Sequence, residues 1–544
     1  MRRRLAGWGF EGVAVPPPAA MLGWLAERLG PGMPSVVVPP RLDAIGKPRK
    51  LPALPGATST DALDRLAHAR GQGLPDLLWL RGGGAPAVPD AVVRAEEDDI
   101  AGVLAACARA GVRVIARGGG TSVTGGVNVL ADERPAVVLD LAPLSGLVGL
   151  DGESGLATFG AGTLGPRVEA ELGPYGFTLG HLPQSWELSS IGGWVVTRSA
   201  GQESLGCGRI DDLVAGLELV CPSDAGGSPR RLSLPAQPSS AAGPDLRRLV
   251  LGSEGRLGVV TRVTVRVREA PARREVTAWL LPEWDAGLTA AREVVQDGVP
   301  LSMLRLSDGV ETATALLVGL GHGGAGAAAV RRYLAWRGVA EGCLVLAGAA
   351  GSESERRRAF AAAAPHLRRH GGVSLGRGVG GRWLADRFRH PYLRDGLLDG
   401  GYATETLETA APWSQVAPLR RRMVEALERS LAAHGESVVV LSHLSHPYID
   451  GASLYFTCFF RVPPEPAAAV ARWATLKRAA NAELVARGAT ISHHHGVGSW
   501  HAPWLRPGVG DEGLRAIAAA ASAFDPAGIL NPHVLLDPVD RLES

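Results

Sequence analysis

Lysine is almost missing from this chain: of 544 residues only Lys47, Lys50 and Lys477 carry an ammonium group, and the positive charge is otherwise arginine. Net charge is only +2, with 20% charged residues and neither a basic arm nor an acidic tail. There is no excess field to grip a phosphate polymer, so nucleic acid is not an expected partner. Cysteine is scarce too. Cys107, Cys207, Cys221, Cys343 and Cys458 are odd in number, scattered and free of any Cys-x-x-Cys pair, which speaks against a disulfide framework or zinc knuckle and for a reducing, cytoplasmic setting. No uninterrupted apolar run is long enough to span a bilayer. Met-Arg-Arg-Arg opens the chain, but the apolar stretch behind it is broken by Glu11, Pro16, Pro17 and Pro18, a poor signal-peptide core. A soluble protein is expected, with peripheral membrane contact left open.

What is present is size and glycine. A chain of 544 residues with 72 glycines exceeds one hydrophobic core and has room for a buried cofactor between lobes. Residues 1–84 mix Pro-rich loops with a helix over Thr60 to Arg70 started by Asp61 and Asp64. From Ala91 the texture becomes strand (Val92, Val93, Arg94), acidic helix start (Glu96 to Asp99), helix (Ile100 to Ala110) and strand (Val112 to Ala116), a β-α-β unit. Strand-like runs recur at Ala136 to Leu141, Leu156 to Gly160, Leu213 to Val220 and Val259 to Arg268, giving an α/β lobe over 85–270. From 271 to 470 an α+β domain is expected, with helices at Ala327 to Arg337 and Glu353 to His370 and strands at Cys343 to Ala347, Ser437 to Leu441 and Leu454 to Phe460. Residues 471–544 read as helices at Arg472 to Arg487 and Asp511 to Phe524, the latter stopped by Asp525-Pro526.

The strand ending at Ala116 opens into Arg117-Gly-Gly-Gly-Thr-Ser-Val-Thr-Gly-Gly126. Gly118, Gly119, Gly120, Gly125 and Gly126 allow close approach and positive φ, so backbone N–H groups can crowd a pyrophosphate while Thr121 and Ser122 add hydroxyls. An ordinary surface turn has the same composition. Two further glycine segments follow: Pro183 to Val195 with Ser185, Ser189, Gly192 and Gly193, continued by Thr197, Ser199 and Gly201; and Gly252 to Val260 with Glu254, Gly255, Gly258, Val259 and Val260. In this order they resemble the flavin-binding domain of vanillyl-alcohol oxidase, D-lactate dehydrogenase and their relatives. That resemblance implies FAD, its pyrophosphate on the first loop, its ribose and ring on the later ones. No Gly-x-Gly-x-x-Gly opens a helix after a first strand, which disfavours NAD. The Arg117 to Gly126 run holds no His or Cys to tether flavin, so FAD is expected without a covalent bond.

Ser492-His-His-His-Gly-Val-Gly498 narrows the resemblance. Neighbours on a strand face opposite ways, so three successive histidines on extended backbone cannot converge on one metal ion. Together with Gly7 to Phe10, Glu405 to Trp413, Ser445 to Phe456 and Phe524 to Asn531, the motif resembles the alkylglycerone-phosphate synthase family over nearly the whole chain. The implied fold class is α+β: a two-subdomain PCMH/VAO-type FAD-binding domain, an α+β cap domain for substrate, and helical terminal segments. The implied activity replaces the acyl group of an acylated dihydroxyacetone phosphate by a long-chain alcohol, with FAD but without net redox. Carried over by position, the resemblance implies Tyr455, His494 and Arg394 as catalytic, and Arg305, Arg394, Thr406 (where the family has serine), His493 and His495 as substrate-binding. A homodimer is implied by the family alone.

Two other readings stay open. An FAD-linked dehydrogenase or oxidase of a 2-hydroxy acid would share the flavin lobe; several such relatives hold a metal through two His and a Glu, and here His494 stands in place of that Glu, so no metal is expected, with His443, His446 and His494 as the alternative ligand set. A flavin-binding protein without catalysis is the third, against which Tyr455, His494, Arg394 and Arg305 argue.

Overall fold

The computed structural model describes residues 2–34, 37–84, 86–223, 227–320 and 332–536. Its first sheet contains β1 (Ala57–Ser59), β2 (Ala91–Arg94), β3 (Arg113–Arg117) and β4 (Ala136–Asp140) in the order β1-β2-β4-β3, the last three parallel. The helix Glu97–Ala110 begins with three carboxylates, where they meet the positive end of the helix dipole, and ends at left-handed Gly111. The strands flanking this helix are not neighbours, because β4 lies between them. Every residue of β4 is buried, and so apolar a strand takes the central place, where both faces are covered.

A second sheet follows within the same stretch: β5 (Leu147–Asp151), β6 (Leu156–Gly160), β8 (Val214–Cys221), β9 (Arg230–Leu234) and β10 (Val259–Arg266), antiparallel in the order β5-β6-β10-β8-β9. A ribbon pairs β7 (Phe177–Thr178) with β11 (Arg268–Glu269). The chain that reads as one α/β lobe therefore carries two sheets, whose cores meet at Val220 and Val259.

The third sheet is antiparallel throughout: β12 (Arg273–Leu281), β13 (Met303–Ser307), β14 (Cys343–Gly351), β15 (Val373–Gly376), β16 (Tyr402–Pro412), β17 (Val439–Pro447) and β18 (Gly451–Arg461), in the order β15-β12-β14-β13-β17-β18-β16. Period-2 alternation orients it. Leu454, Phe456, Cys458 and Phe460 of β18 are wholly buried in the core beneath the helices Trp413–Arg429 and Pro466–Ala486, each large side chain contributing about 1.5–3 kcal/mol by leaving water. Tyr455 and Thr457 project from the opposite face.

Other expected elements have observed counterparts. Thr60 to Arg70 becomes Ala62–Ala67, with Asp61 accepting from the Asp64 amide, and Glu353–Arg369 starts in a Ser352/Glu355 capping box. The helix Leu505–Phe524 breaks at Gly510, so its regular part begins at Asp511. Of the expected helix Ala327 to Arg337, residues 327–331 lie outside the described residues, and 332–336 are helical. The first 84 residues divide their contacts: Ala19–Leu29 packs on Tyr402 and Phe459, Leu74–Arg81 joins the core of the third sheet, and β1 edges the first sheet. Near its end the chain returns to the first sheet, where Val114 N donates to Ile529 O at 2.8 Å and Asn531 N to Val114 O at 2.9 Å.

Candidate active site

Where the three sheets face one another lies a cavity of about 500 Å³. One wall is the loop after β3. Gly120 and Gly125 take positive φ, but Gly118 and Gly119 are needed for space: a Cβ on Gly118 would collide with Ser190 Oγ, and one on Gly119 with the Leu188 carbonyl. The loop is thereby pressed against the second glycine segment, whose Ser190 caps the helix Ile191–Thr197 by accepting from Gly193 N. Gly192 packs on Ala161, with no room for a side chain. Beneath the loop the Arg117 guanidinium bonds Ala67 O at 3.2 Å, while among the described residues its Nε has no hydrogen-bond partner. Burial, then the nearby Arg3, pushes it down to about 10. Arg3 bonds the Gly119 carbonyl. Behind the loop, the buried Arg117 and the half-buried Arg3 have no carboxylate within 4 Å among the described residues, and their positive charge, beside a loop of small residues whose amides can face the cavity, suits the pyrophosphate of FAD. Gly118, Gly119, Gly120, Thr121, Ser122, Gly126, Pro183, Ser185, Ser189, Gly192, Gly193, Thr197, Ser199, Glu254, Gly255, Gly258 and Val260 all line the cavity. Arg117, Gly125, Gly201 and Val259 stand behind that wall: Gly125 against Ser499 and Trp500, Gly201 against Leu182, Val259 in the core.

The opposite wall is the third sheet. Cross-strand register puts His443 beside Tyr455 and Tyr455 beside Glu408, and the His443 and Tyr455 rings stack at 4.9 Å. A bulge between Leu444 and His446 breaks the alternation of β17, so both Ser445 and His446 reach the cavity. Arg305, on β13, bonds Glu311 Oε1 at 2.6 Å and His443 Nδ1 at 3.0 Å. Arg394 donates to Gln72 O at 2.6 Å and Gln72 Oε1 at 3.2 Å, and its buried Nε, 4.0 Å from Asp395 Oδ1, has no hydrogen-bond partner among the described residues. Thr406 lies by the Tyr455 phenol and favours its ionised form.

The three histidines are not on a strand. Residues 492–495 form a turn whose backbone wraps Glu408: Ser492 Oγ and the amides of His493, His494 and His495 all donate to Glu408 Oε1, at 3.0, 3.1, 3.0 and 2.8 Å. Successive N–H groups around one anion make a nest. The turn separates the rings. His494 lies over Tyr455, centroids 6.1 Å apart and nearly parallel; His495 meets Tyr455 edge-on at 5.9 Å; both line the cavity. His493 sits behind, bonding Tyr448 Oη at 2.6 Å and His494 Nδ1 at 2.8 Å. Burial, then the neighbouring imidazoles, holds His494 well below the usual histidine range, so it is neutral. Burial pushes Tyr455 up to about 12; Thr406 opposes the shift, while Glu408 and Glu405 add to it. Tyr455 therefore rests protonated.

Among the described residues, ligand-type atoms gather within 4.8 Å in two groups: His446 with His493 and His494, and Glu408 with His494 and His495. In the first, His493 Nδ1 and His494 Nδ1 share a hydrogen bond; in the second, Glu408 Oε1 is taken by Ser492 Oγ and three main-chain amides. His443 is turned instead to Glu311, at 3.1 Å. Sequence reasoning assigned no role to Glu408, Glu311 or Ser445. Glu408 was accessible through strand alternation, which puts it on the face of Thr406; Glu311 was not, because only the fold brings the start of the helix Gly309–Leu320 beside His443.

Comparison with known proteins accords with this geometry. Residues 89–226 match the FAD binding domain family and residues 270–535 the C-terminal domain of FAD linked oxidases. The alkyldihydroxyacetonephosphate synthase of Caenorhabditis elegans is 32% identical over 490 residues, covering 88% of this chain and 81% of that protein. That of Trypanosoma brucei brucei is 29% identical, covering 88% and 78%. A solved alkyldihydroxyacetonephosphate synthase superposes with a TM-score of 0.81 at 22% identity, covering 97% of this chain and 98% of the other. This chain is an FAD-binding protein and belongs to the alkyldihydroxyacetonephosphate synthase family.

Proposed function

We propose that this enzyme exchanges the acyl group of a 1-acyl-dihydroxyacetone phosphate for a long-chain alcohol, forming an ether bond with no net redox change. The observation that carries the reading is the meeting, in one cavity, of the glycine cradle with Tyr455, His494 and Arg394. When bound, FAD supplies a conjugated electron sink for a carbon beside a carbonyl. The chain's own residues supply proton movement and grip. Tyr455, protonated, and His494, neutral, have pKa values pushed far apart, the pattern expected of an acid and a base working as a pair. In this reading Tyr455 Oη takes the proton beside the substrate carbonyl as its own proton passes to the His494 ring, so free phenolate is never needed. The carbon–oxygen bond to the acyl group breaks and the fatty acid leaves; the alcohol oxygen then bonds to the same carbon and gives up its proton, and the carbon regains one from the pair.

Arg394 is the group assigned to the phosphate, because among the described residues its Nε makes no hydrogen bond, Asp395 Oδ1 standing 4.0 Å away, and a guanidinium offers paired charged donors. Thr406 acts on Tyr455 in this scheme, and His495 closes the pocket edge. A cytoplasmic setting, a peripheral membrane contact and a homodimer belong to the same reading. Exposed Met33, Val38, Leu42 and Trp79 support the membrane contact; the dimer rests on the family. Among the described residues no helix is long and apolar enough to cross a membrane.

Anaerobic mixing of the purified protein with acyl-dihydroxyacetone phosphate plus a fatty alcohol tests the reading: fatty acid release without lasting flavin reduction is expected. Bleaching by D-2-hydroxy acids, with electrons passed to a dye, would favour an oxidoreductase instead. Tyr455→Phe and His494→Ala should each abolish exchange while leaving the flavin spectrum; wild-type rates in either would remove that residue from the mechanism.

A further inference from the structure

We propose that Glu408 is the positioning residue for His494: its carboxylate gathers the 492–495 turn onto a single oxygen and so sets the His494 ring over Tyr455. The inference rests on the assignment of those two residues to proton transfer. Glu408 is 3% exposed, and among the described residues no Lys or Arg nitrogen lies within 4 Å of it; the nearest titratable cation-former is His495, whose Nδ1 is 3.5 Å away. A buried carboxylate ordinarily needs a cation. Its neighbour Glu405 has one, Lys477 at 2.9 Å. Glu408 is satisfied by Ser492 Oγ and three consecutive main-chain amides.

Three consecutive N–H groups do not converge on one atom along a strand or within a helix interior, so the carboxylate goes with the curled path that brings His494 and His495 forward and His493 back. The same residue is the cross-strand partner of Tyr455. One side chain thus references both reacting groups to one point of the sheet. Shortening or deleting it releases the turn, and a displacement of about 1 Å at reacting groups costs on the order of 100-fold in rate.

The experiment uses the FAD-loaded enzyme and the variants Glu408→Ala, Glu408→Gln and Glu408→Asp, read by steady-state kinetics and by hydrogen–deuterium exchange of the peptide containing residues 491–498. Glu408→Ala should lower kcat about 100-fold with KM for the phosphate substrate changed less than about 3-fold, and should accelerate exchange in that peptide at least about tenfold while the flavin spectrum stays. Glu408→Gln keeps an acceptor oxygen in place and should recover at least about tenfold of the kcat and most of the protection. Glu408→Asp keeps the charge but withdraws the oxygen, and should be worse than Gln. A Glu408→Ala enzyme with near-wild-type kcat, a loss confined to KM, or unchanged exchange overturns the proposal. So does an Asp variant better than Gln. If Glu408→Ala does not fold, the Gln and Asp pair decides by the same order. Absence of acyl exchange in the wild-type enzyme would fail the functional reading, whereas the exchange measurement on 491–498 still reports on Glu408.

Discussion

Arg305 is already paired, its Nη2 lying 2.6 Å from Glu311 Oε1. Burial works against the Glu311 anion, but His443 and Arg305 hold its pKa down to about 2, so the pair persists through any working pH. Arg305 and Arg394 both line the cavity; Arg305 is hydrogen-bonded to its carboxylate, whereas the Asp395 Oδ1 beside Arg394 stands 4.0 Å from Nε and Arg394 donates to Gln72 instead. Arg394→Gln should therefore raise KM for the phosphate substrate about 10- to 100-fold, the worth of a charged hydrogen bond. Arg305→Gln should instead lower the melting temperature, because it removes the guanidinium from the half-buried Glu311. Steady-state kinetics and thermal melts on both variants decide; a larger KM effect from Arg305 would reverse the assignment.

Gly119→Ala tests the cradle. The added methyl has to displace the Leu188 carbonyl, backbone that carries the Ser189 and Ser190 wall. Such a protein is expected to purify with less than about a tenth of its FAD, measured by absorbance near 450 nm, since small-to-large strain of about 1–3 kcal/mol falls directly on the binding loop. Full flavin content would show that the loop yields.

Glu254 couples stability to pH. It accepts from Val497 N at 2.6 Å and Gly498 N at 2.7 Å, yet burial raises its pKa to about 7. The folded state then holds a proton that the unfolded state has released between about 4.5 and 7, so this group's contribution is fully present below 4.5 and is lost as pH rises through 7. The slope is at most about 1.4 kcal/mol per pH unit. Asp76, raised to about 6 by burial, adds to it. Thermal melts of wild type and Glu254→Gln across pH 4.5 to 8 isolate the term: the variant should lose less stability on going up, whatever its offset. Parallel curves would place the proton elsewhere.

Lys477, one of three lysines, is buried against Glu405, which also accepts from Trp473 Nε1 at 2.9 Å. Lys477→Met leaves that carboxylate without its cation and should cost about 3–5 kcal/mol. Lys47→Met and Lys50→Met, at exposed positions, should stay within about 0.5 kcal/mol. Melting of the three variants side by side is the check.

Much of the glycine-lined cavity wall was legible in the chain because glycine leaves a signal where backbone must approach closely. Gly118, Gly119 and Gly192 are glycine for lack of space, and a loop of this kind announces itself before any fold is known. The strand carrying Tyr455 was legible for a similar reason: Leu454, Phe456, Cys458 and Phe460 alternate with it, and period 2 follows from the pleat. Strand order was not legible. Local pattern finds the strand Ala136–Asp140 but says nothing of its slipping between its two predecessors, since pairing is decided by burial on both faces.

The histidine run shows the limit most sharply. On extended backbone its three rings diverge, and that inference was sound for a strand; the turn exists because Glu408, more than 80 residues earlier, draws three amides together. Composition and local pattern by themselves determined where glycine was needed, which faces were apolar and which side chains could do chemistry. Tertiary structure alone decided that Arg305 is hydrogen-bonded to a carboxylate while Arg394 bonds Gln72, that His494 is neutral and Tyr455 protonated, and that the two stack. Charge state and mutual orientation depend on burial and on partners distant in the chain, and neither is encoded in the spacing of nearby residues.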